Sequence, residues 1–189
     1  MNKKEQYNHT DITIGLFGTC DNVPWREPFI EKYEKLGIKF YNPVIDDWSE
    51  RLEMSRKGLC PNPTEEENYY LNSAEVILFP ILKESLGSGS LAEMGFSVQR
   101  VIRNIQNGGR QFLVTLIDDE CTDMRKTEEE RKRSVKDRAL TKSKLIENVS
   151  CPIITLVNTL DEMYEMSMEV VNILANGCPA EEEGLSKSA

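Results

Sequence analysis

Five short apolar runs divide the chain, and each is followed by a segment with a different spacing of apolar residues. The runs are rich in β-branched residues and are bounded by glycine, proline, asparagine or charged residues, which is typical of buried strands. The pattern predicts strands over residues 11–18, 38–41, 76–79, 111–117 and 152–157.

The segments between these runs have the spacing and the terminal residues of helices. They predict helices over residues 24–36, 48–54, 64–73, 90–105, 127–149 and 160–176. Strands that alternate with helices favour a parallel sheet covered on both faces. We therefore expect an α/β fold with a five-stranded, flavodoxin-like (Rossmann-like) parallel sheet. One domain would cover residues 1–178, followed by a disordered acidic tail over 179–189.

Composition excludes some classes of partner. The 189 residues, 39% of them hydrophobic, fit one domain with an ordinary core. Thirty-two acidic residues against 23 basic ones give a formal charge of −9, which argues against binding to nucleic acid. A few local donors could still hold one phosphate. No stretch is apolar enough to span a bilayer, so we expect no membrane partner.

Cysteine usage and the N-terminal residues favour a cytoplasmic location. The five cysteines are scattered and form no C-x-x-C pair, which indicates reduced thiols and neither disulfides nor a zinc site. The N-terminal lysines precede no apolar run, so we expect no secretory signal. His9 is the one histidine, which excludes a histidine triad and argues against a histidine-based metal site. We expect no metal.

One carboxylate follows a turn of small residues. Glu93 comes just after Gly87, Ser88, Gly89 and Ser90, inside the start of a predicted helix. This turn and the loop after the first strand would both lie at the carboxyl edge of the sheet, where such folds bind ligands. Free N–H groups and the helix dipole would keep the acid ionised, and an ionised glutamate can attack an anomeric carbon. The alternative is an acid that only favours a helix N-terminus.

Residues 89–96, G-S-L-A-E-M-G-F, resemble the signature of the nucleoside 2-deoxyribosyltransferase superfamily. In that superfamily a small-residue turn leads into a helix that carries a nucleophilic glutamate. Residues 17–19 resemble the sugar loop after strand one, and Trp25 with residues 42–43 fits the same branch. The resemblance covers about residues 12–117. It implies an enzyme that cleaves or transfers the N-glycosidic bond of a (deoxy)nucleoside or nucleotide, without a cofactor.

The resemblance also implies roles for individual residues. Glu93 would be the nucleophile at C1′, and Glu67 would assist departure of the base. The implied substrate contacts are Gly18, Thr19, Trp25, Gly87, Ser88, Gly89, Ser90 and Asn158. Asn158 would come from the neighbour in a homodimer or higher homo-oligomer. The alternatives are a solvated first-turn acid for Glu67 and a residue that simply ends a strand for Asn158.

Two positions depart from the family pattern. Leu16 stands where many members have a tyrosine that holds the nucleophile, and Gly87 stands where an aspartate binds the sugar. Gly87 and Ser88 resemble instead the turn of the related deoxynucleotide N-hydrolases, in which water completes the reaction. These departures favour an alternative in which the same pocket is a non-catalytic nucleotide sensor. A further alternative is an NAD glycohydrolase, because related folds cleave NAD by the same glutamate chemistry.

Two further groups have open interpretations. Arg26 could bind a phosphate or cover the ring of Trp25. Residues 46–48, D-D-W, could reach the pocket or form a surface turn. The charged helix over 127–149 is typical of a solvated face or of a cover specific to this chain.

Overall fold

The computed structural model describes residues 11–20, 23–148 and 153–176. The predicted tail over 179–189 lies outside them. The described elements alternate along the chain in this order: β1 (Thr13–Leu16), α1 (Arg26–Leu36), β2 (Lys39–Tyr41), α2 (Trp48–Arg56), α3 (Pro63–Ser73), β3 (Val76–Ile81), α4 (Ser88–Gln106), β4 (Phe112–Ile117), α5 (Glu128–Asn148), β5 (Ile154–Val157) and α6 (Leu160–Asn176).

The five strands form one all-parallel sheet in the order β2-β1-β3-β4-β5. This order confirms the predicted flavodoxin-like arrangement. β1 and β3 are neighbours, with Leu16 beside Leu78. Because all strands run the same way, the loops after β1 and β3 leave the sheet at the same edge.

Each face of the sheet has its own core. Val76 and Leu78 of β3 point to the face that packs against α1 and α6, whereas Ile77 and Phe79 point to the face that packs against α4. All four are at most 1% exposed, since successive side chains of a strand alternate and both faces are covered.

Several element boundaries differ from the sequence prediction by one or two residues, and three of the differences concern β3, α3 and α4. β3 continues to Ile81, two residues beyond the predicted end. α3 begins at Pro63 because the side chain of Asn62, and not that of Thr64, caps it. α4 begins at Ser88 because Gly87 adopts the left-handed conformation (φ 67°) and serves as the N-cap.

The early start of α4 corrects one electrostatic expectation. Glu93 is the sixth residue of the helix, so it lies beyond the first turn, in which unpaired N–H groups and the helix dipole act. The helix N-terminus therefore does not supply the expected stabilisation of an ionised Glu93. The backbone N–H groups without a partner within the helix are those of its first residues, Ser88, Gly89 and Ser90.

Candidate active site

Two adjoining cavities lie at the carboxyl edge of the sheet. The first, which we call the apolar chamber, has a volume of about 480 Å³ and lies among β1, α2, α3 and α4. The second, the polar chamber, has a volume of about 550 Å³ and lies over the N-terminus of α4. Gly18, Cys20 and Glu93 line both chambers. The chambers therefore form one cleft, with Glu93 where they meet.

The two chambers differ in chemistry. Side chains that offer mostly carbon surface line the apolar chamber: Phe17, Val44, Ile45, Trp48, Phe79 and Phe96. Backbone and polar or charged groups line the polar chamber: Ser88, Gly89, Ser90, Asp123, Arg125 and Lys126. Such a cleft suits a ligand with a flat apolar end and a hydroxylated or anionic end.

A buried arginine holds the segment between β3 and α4. The side chain of Arg138, on α5, is fully buried, and its guanidinium donates to the carbonyl oxygens of Ile81 (3.1 Å), Leu82 (3.0 Å) and Ser85 (2.6 Å). Ser134, one turn earlier, donates to the carbonyl oxygen of Leu86 at 2.7 Å. α5 thereby fixes the backbone that leads into α4 and Glu93.

Gly87 is required by the space around it. A β-carbon there would lie 2.6 Å from Cγ2 of Ile81 and 3.2 Å from Nη2 of Arg138. The positive φ of 67° disfavours other residues as well. The aspartate that the family pattern has at this position would not fit this backbone.

The loop after β1 is tied down on both sides. The amide of Thr19 donates to the carbonyl of Pro80 at 2.9 Å, and its hydroxyl accepts from the amide of Leu82 at 3.1 Å. The carbonyl of Thr19 accepts from the indole of Trp25 (3.0 Å) and from the guanidinium of Arg26 (2.8 Å). These bonds join the loops after β1 and β3, which together form the floor of the cleft.

Trp25 and Arg26 are part of that support. Trp25 is 3% exposed and is absent from the lining of both chambers. The guanidinium of Arg26 lies 4.5 Å from the Trp25 ring centroid and donates to the carbonyl of Leu16 at 2.8 Å. Of the two interpretations of Arg26, the structure shows the one in which it covers the tryptophan.

Leu16 and Phe17 point to opposite faces of the sheet. Leu16 is fully buried in the core under α1 and α6, while Phe17 packs on the α4 side and lines the apolar chamber. The position where many family members have a tyrosine therefore carries no group that could hold Glu93.

Glu67 and Glu93 face the same chamber from α3 and α4. Burial raises the pKa of Glu67, and the nearby Arg100 guanidinium opposes part of that rise. Burial also raises the pKa of Glu93, and the negative charge of Glu67 raises it further. The two carboxyl groups are close enough for the charge of Glu67 to make ionisation of Glu93 less favourable.

The structure brings most of the expected residues to one cleft. Gly18, Glu67 and Glu93 line the apolar chamber, and the polar chamber has Gly18, Thr19, Gly87, Ser88, Gly89, Ser90 and Glu93 in its wall.

Asn158 lies apart from the cleft. Its backbone amide and its side-chain amide donate to one carboxylate oxygen of Glu162, at 2.7 Å and 3.3 Å, and it lines neither chamber. A role at a neighbouring subunit's site stays a prediction. Of the D-D-W group, Asp47 caps α2 by accepting from the amide of Glu50, while Trp48 lines the apolar chamber.

Sequence reasoning missed several residues of the cleft. Phe96 and Arg100 follow Glu93 at helical spacing of three and seven, so the period of α4 could have revealed both. Arg125 and Lys126 follow β4, and the position of that loop at the same edge could have suggested them. No local signal distinguishes Arg138 from the other charged residues of α5.

Among residues 11–20, 23–148 and 153–176, no group of three or more histidine, cysteine, aspartate or glutamate residues is arranged to hold a metal ion. No helix in those ranges combines the length and the apolar character that crossing a membrane needs.

Part of the chain matches a known protein family. Residues 11–105 match a family model described as "Nucleoside 2-deoxyribosyltransferase like". No curated protein is significantly similar to the chain. The matched segment contains Glu67, Glu93 and Arg100, whereas Arg125 and Arg138 lie beyond it.

Proposed function

The chain belongs to the nucleoside 2-deoxyribosyltransferase-like family, and on that basis we propose that it cleaves or transfers the N-glycosidic bond of a deoxynucleoside or deoxynucleoside monophosphate. The observation that carries the proposal is that Glu93 lines both chambers of the cleft. A nucleoside with its base in the apolar chamber and its sugar in the polar chamber would have its anomeric carbon beside this carboxylate.

In the proposed reaction, a carboxylate oxygen of Glu93 attacks C1′ and forms an ester with the sugar. The bond between C1′ and the base breaks, and its electron pair goes to the base nitrogen. Water or a second base then attacks C1′ and releases Glu93 as a carboxylate. No redox step or cofactor enters this sequence.

Glu67 is the proposed proton donor. A base leaves poorly as an anion, so a proton must reach one of its nitrogens as the bond breaks. The raised pKa of Glu67 supports this role, because a carboxyl in a partly dehydrated chamber keeps its proton at higher pH. In the second step the Glu67 carboxylate would accept a proton from the attacking water or base.

The polar chamber is the proposed site for the sugar hydroxyls and, in a nucleotide, the 5′-phosphate. Ser88, Gly89 and Ser90 form the first turn of α4, where backbone N–H groups have no partner within the helix. Arg125 and Lys126 line the same chamber and would favour an anion. In this proposal Asn158 could reach the sugar of a neighbouring subunit in a homo-oligomer.

The test is release of free base from deoxynucleosides, deoxynucleoside monophosphates and NAD. We expect release from at least one deoxynucleoside substrate, and the Glu93→Ala variant should be at least about 1,000-fold slower because the nucleophile is gone. Glu165→Ala, an exposed change on α6, is the matched control and should keep full activity. Equal rates in Glu93→Ala and the wild type would rule out the covalent mechanism. Release from NAD alone would identify the glycohydrolase instead, and tight binding without release would identify a nucleotide sensor.

A further inference from the structure

α4 lies along both chambers of the cleft, and it presents side chains of different chemical type to each part of the cleft. Ser88 begins the helix in the polar chamber, Glu93 stands where the chambers meet, and Arg100 lines the apolar chamber. Arg100 lies seven positions after Glu93, which corresponds to a rise of about 10 Å along the helix. Residues seven positions apart lie on nearly the same face of a helix, and Arg100 and Glu93 both line the apolar chamber. A base bonded to a sugar at Glu93 would extend toward Arg100.

Arg100 has hydrogen-bonding capacity to spare. Within the part of the chain that the structure describes, its one hydrogen bond goes from Nη2 to Oδ1 of Asn68, at 3.3 Å. No described acid forms an ion pair with it within 4.0 Å. A guanidinium has five N–H donors and no acceptor, so several donors remain for a ligand. Arg26 and Arg138, by contrast, direct their donors to backbone carbonyl groups.

Arg100 also marks one end of the chamber. It lines the apolar chamber and, in addition, a separate groove that contains Asn104 and Asn107. Arg100 therefore lies between the chamber and that groove. A ligand group that touches Arg100 would be the part of the ligand farthest from the sugar.

We propose that Arg100 selects the nucleobase by its acceptor edge, so that the substrates carry an oxo base such as hypoxanthine or guanine. This inference rests on the proposed function for the reaction and adds the class of base. A 6-oxopurine presents two neighbouring acceptors, O6 and N7, that a guanidinium can bind together. Adenine presents one acceptor beside an amino donor, and a donor facing Arg100 would leave both groups without a partner.

The same contact would help the reaction. As the bond to C1′ breaks, electron density moves onto the base and is shared by its exocyclic oxygen. A guanidinium that donates to this oxygen stabilises the charge as it develops. Glu67 would meanwhile transfer its proton to a ring nitrogen, so the base leaves as a neutral molecule.

The chamber walls would supply affinity without selecting a base. Trp48 is 48% exposed and Phe96 is 68% exposed, although both are large aromatic residues, and both line the apolar chamber. Stacking on such rings favours every base to a similar degree. Selectivity must therefore come from polar groups at the base edge, where Arg100 lies.

The kinetic test compares release of base from deoxyinosine and from deoxyadenosine, each also as the 5′-monophosphate. In the wild type, we expect kcat/KM for deoxyinosine or its monophosphate to exceed kcat/KM for the matching deoxyadenosine compound by about tenfold or more. Arg100→Gln should bring this ratio close to one, and Arg100→Lys should give an intermediate ratio because it keeps the charge but loses the planar pair of donors. Arg103→Gln, on the same helix but outside both chambers, is the matched control and should keep the wild-type ratio.

A binding test separates this inference from the proposed reaction. The chain has two tryptophans, and since Trp25 is buried while Trp48 lines the chamber, added hypoxanthine or adenine should change mainly the fluorescence of Trp48. Tighter binding of hypoxanthine that disappears in Arg100→Gln would support base selection even if no substrate is cleaved. Cleavage with no preference, or with both substrates slowed equally in Arg100→Gln, would overturn base selection and leave the reaction standing. Absence of both cleavage and binding would overturn both.

Discussion

The floor and the outer wall of the cleft are built in opposite ways. The floor consists of the loops after β1 and β3. Their backbone carbonyl groups accept hydrogen bonds from Arg26 of α1 and Arg138 of α5, which are at most 4% exposed. The wall formed by the loop after β2 and the start of α2 contributes Val44 and Trp48, which are 43% and 48% exposed.

This difference corresponds to two demands on the site. The floor carries the turn into α4, so its hydrogen bonds fix the position of Glu93, and attack at C1′ depends on that position. The wall leaves apolar surface open to water, and a flat ligand that covers this surface would gain affinity. Substitutions in the floor should therefore lower both the stability of the fold and the activity. Substitutions in the wall should lower only the affinity for the ligand.

Removal of Arg138 should give the largest effect on stability. Arg138→Ala leaves the carbonyl oxygens of Ile81, Leu82 and Ser85 without their buried donor, so we expect the free energy of unfolding to fall by about 3 kcal/mol or more. Arg138→Lys keeps the charge but cannot reach all the acceptors, so its free energy of unfolding should lie between those of the wild type and Arg138→Ala. Chemical denaturation monitored by circular dichroism measures the change.

The control for Arg138 is an arginine on the same helix. Arg133 has a side chain that is 86% exposed, and Arg133→Ala should change the free energy of unfolding by less than about 0.5 kcal/mol. If Arg138→Ala were as stable as Arg133→Ala, the floor would not depend on the buried guanidinium, and the contrast with the wall would fail.

Replacement of Trp48 should weaken binding by about tenfold without a loss of stability. Trp48→Ala removes one stacking surface from the apolar chamber, and stacking on an aromatic ring contributes about 1–3 kcal/mol per base. Isothermal titration with the preferred nucleoside measures the affinity, and thermal unfolding checks the fold. Met54→Ala, another partly exposed position on α2, is the control. Unchanged affinity in Trp48→Ala would show that the ligand does not use this wall.

Neutralisation of Glu67 should give the smallest effect, a gain in stability that depends on pH. Burial raises the pKa of both Glu67 and Glu93 above the ordinary value of 4.5. Below that value both carboxyl groups are neutral in the folded and unfolded states, and as the pH rises through their folded pKa values the folded state loses stability relative to the unfolded chain.

Glu67→Gln should therefore raise Tm at pH 7, by no more than about 4 °C because both groups are partly open to solvent, and should have no such benefit at pH 4. Glu65→Gln, an exposed change on the same helix, should leave Tm nearly constant at both pH values. A gain in Tm at pH 4 that equals the gain at pH 7 would show that charge on Glu67 does not destabilise the fold.

The fold could be predicted from the sequence because its signals are local. Apolar runs such as that of β3 and the glycine and asparagine residues between elements fix strands and helices over a few residues at a time. The start of α4 was predicted two residues late, since the left-handed conformation of Gly87 depends on packing against Ile81 and Arg138.

The candidate site was only partly predictable, for a related reason. Glu93 and its turn form a contiguous motif, whereas Arg138 reaches carbonyl groups more than 50 residues away in sequence. A charged helix such as α5 gives no local sign that one of its arginines is fully buried. The raised pKa values of Glu67 and Glu93 likewise arise from burial in a cleft that separate segments of the chain form together.

The most direct test of the central claim is to trap the sugar on the protein. The wild type, mixed with its deoxynucleoside substrate and quenched in acid within the first turnover, should gain the mass of one deoxyribosyl group, and peptide mapping should locate that group on Glu93. Glu93→Ala should gain no mass under the same conditions. A deoxyribosyl group found on any other residue, or base release with no adduct at any quench time, would contradict the account.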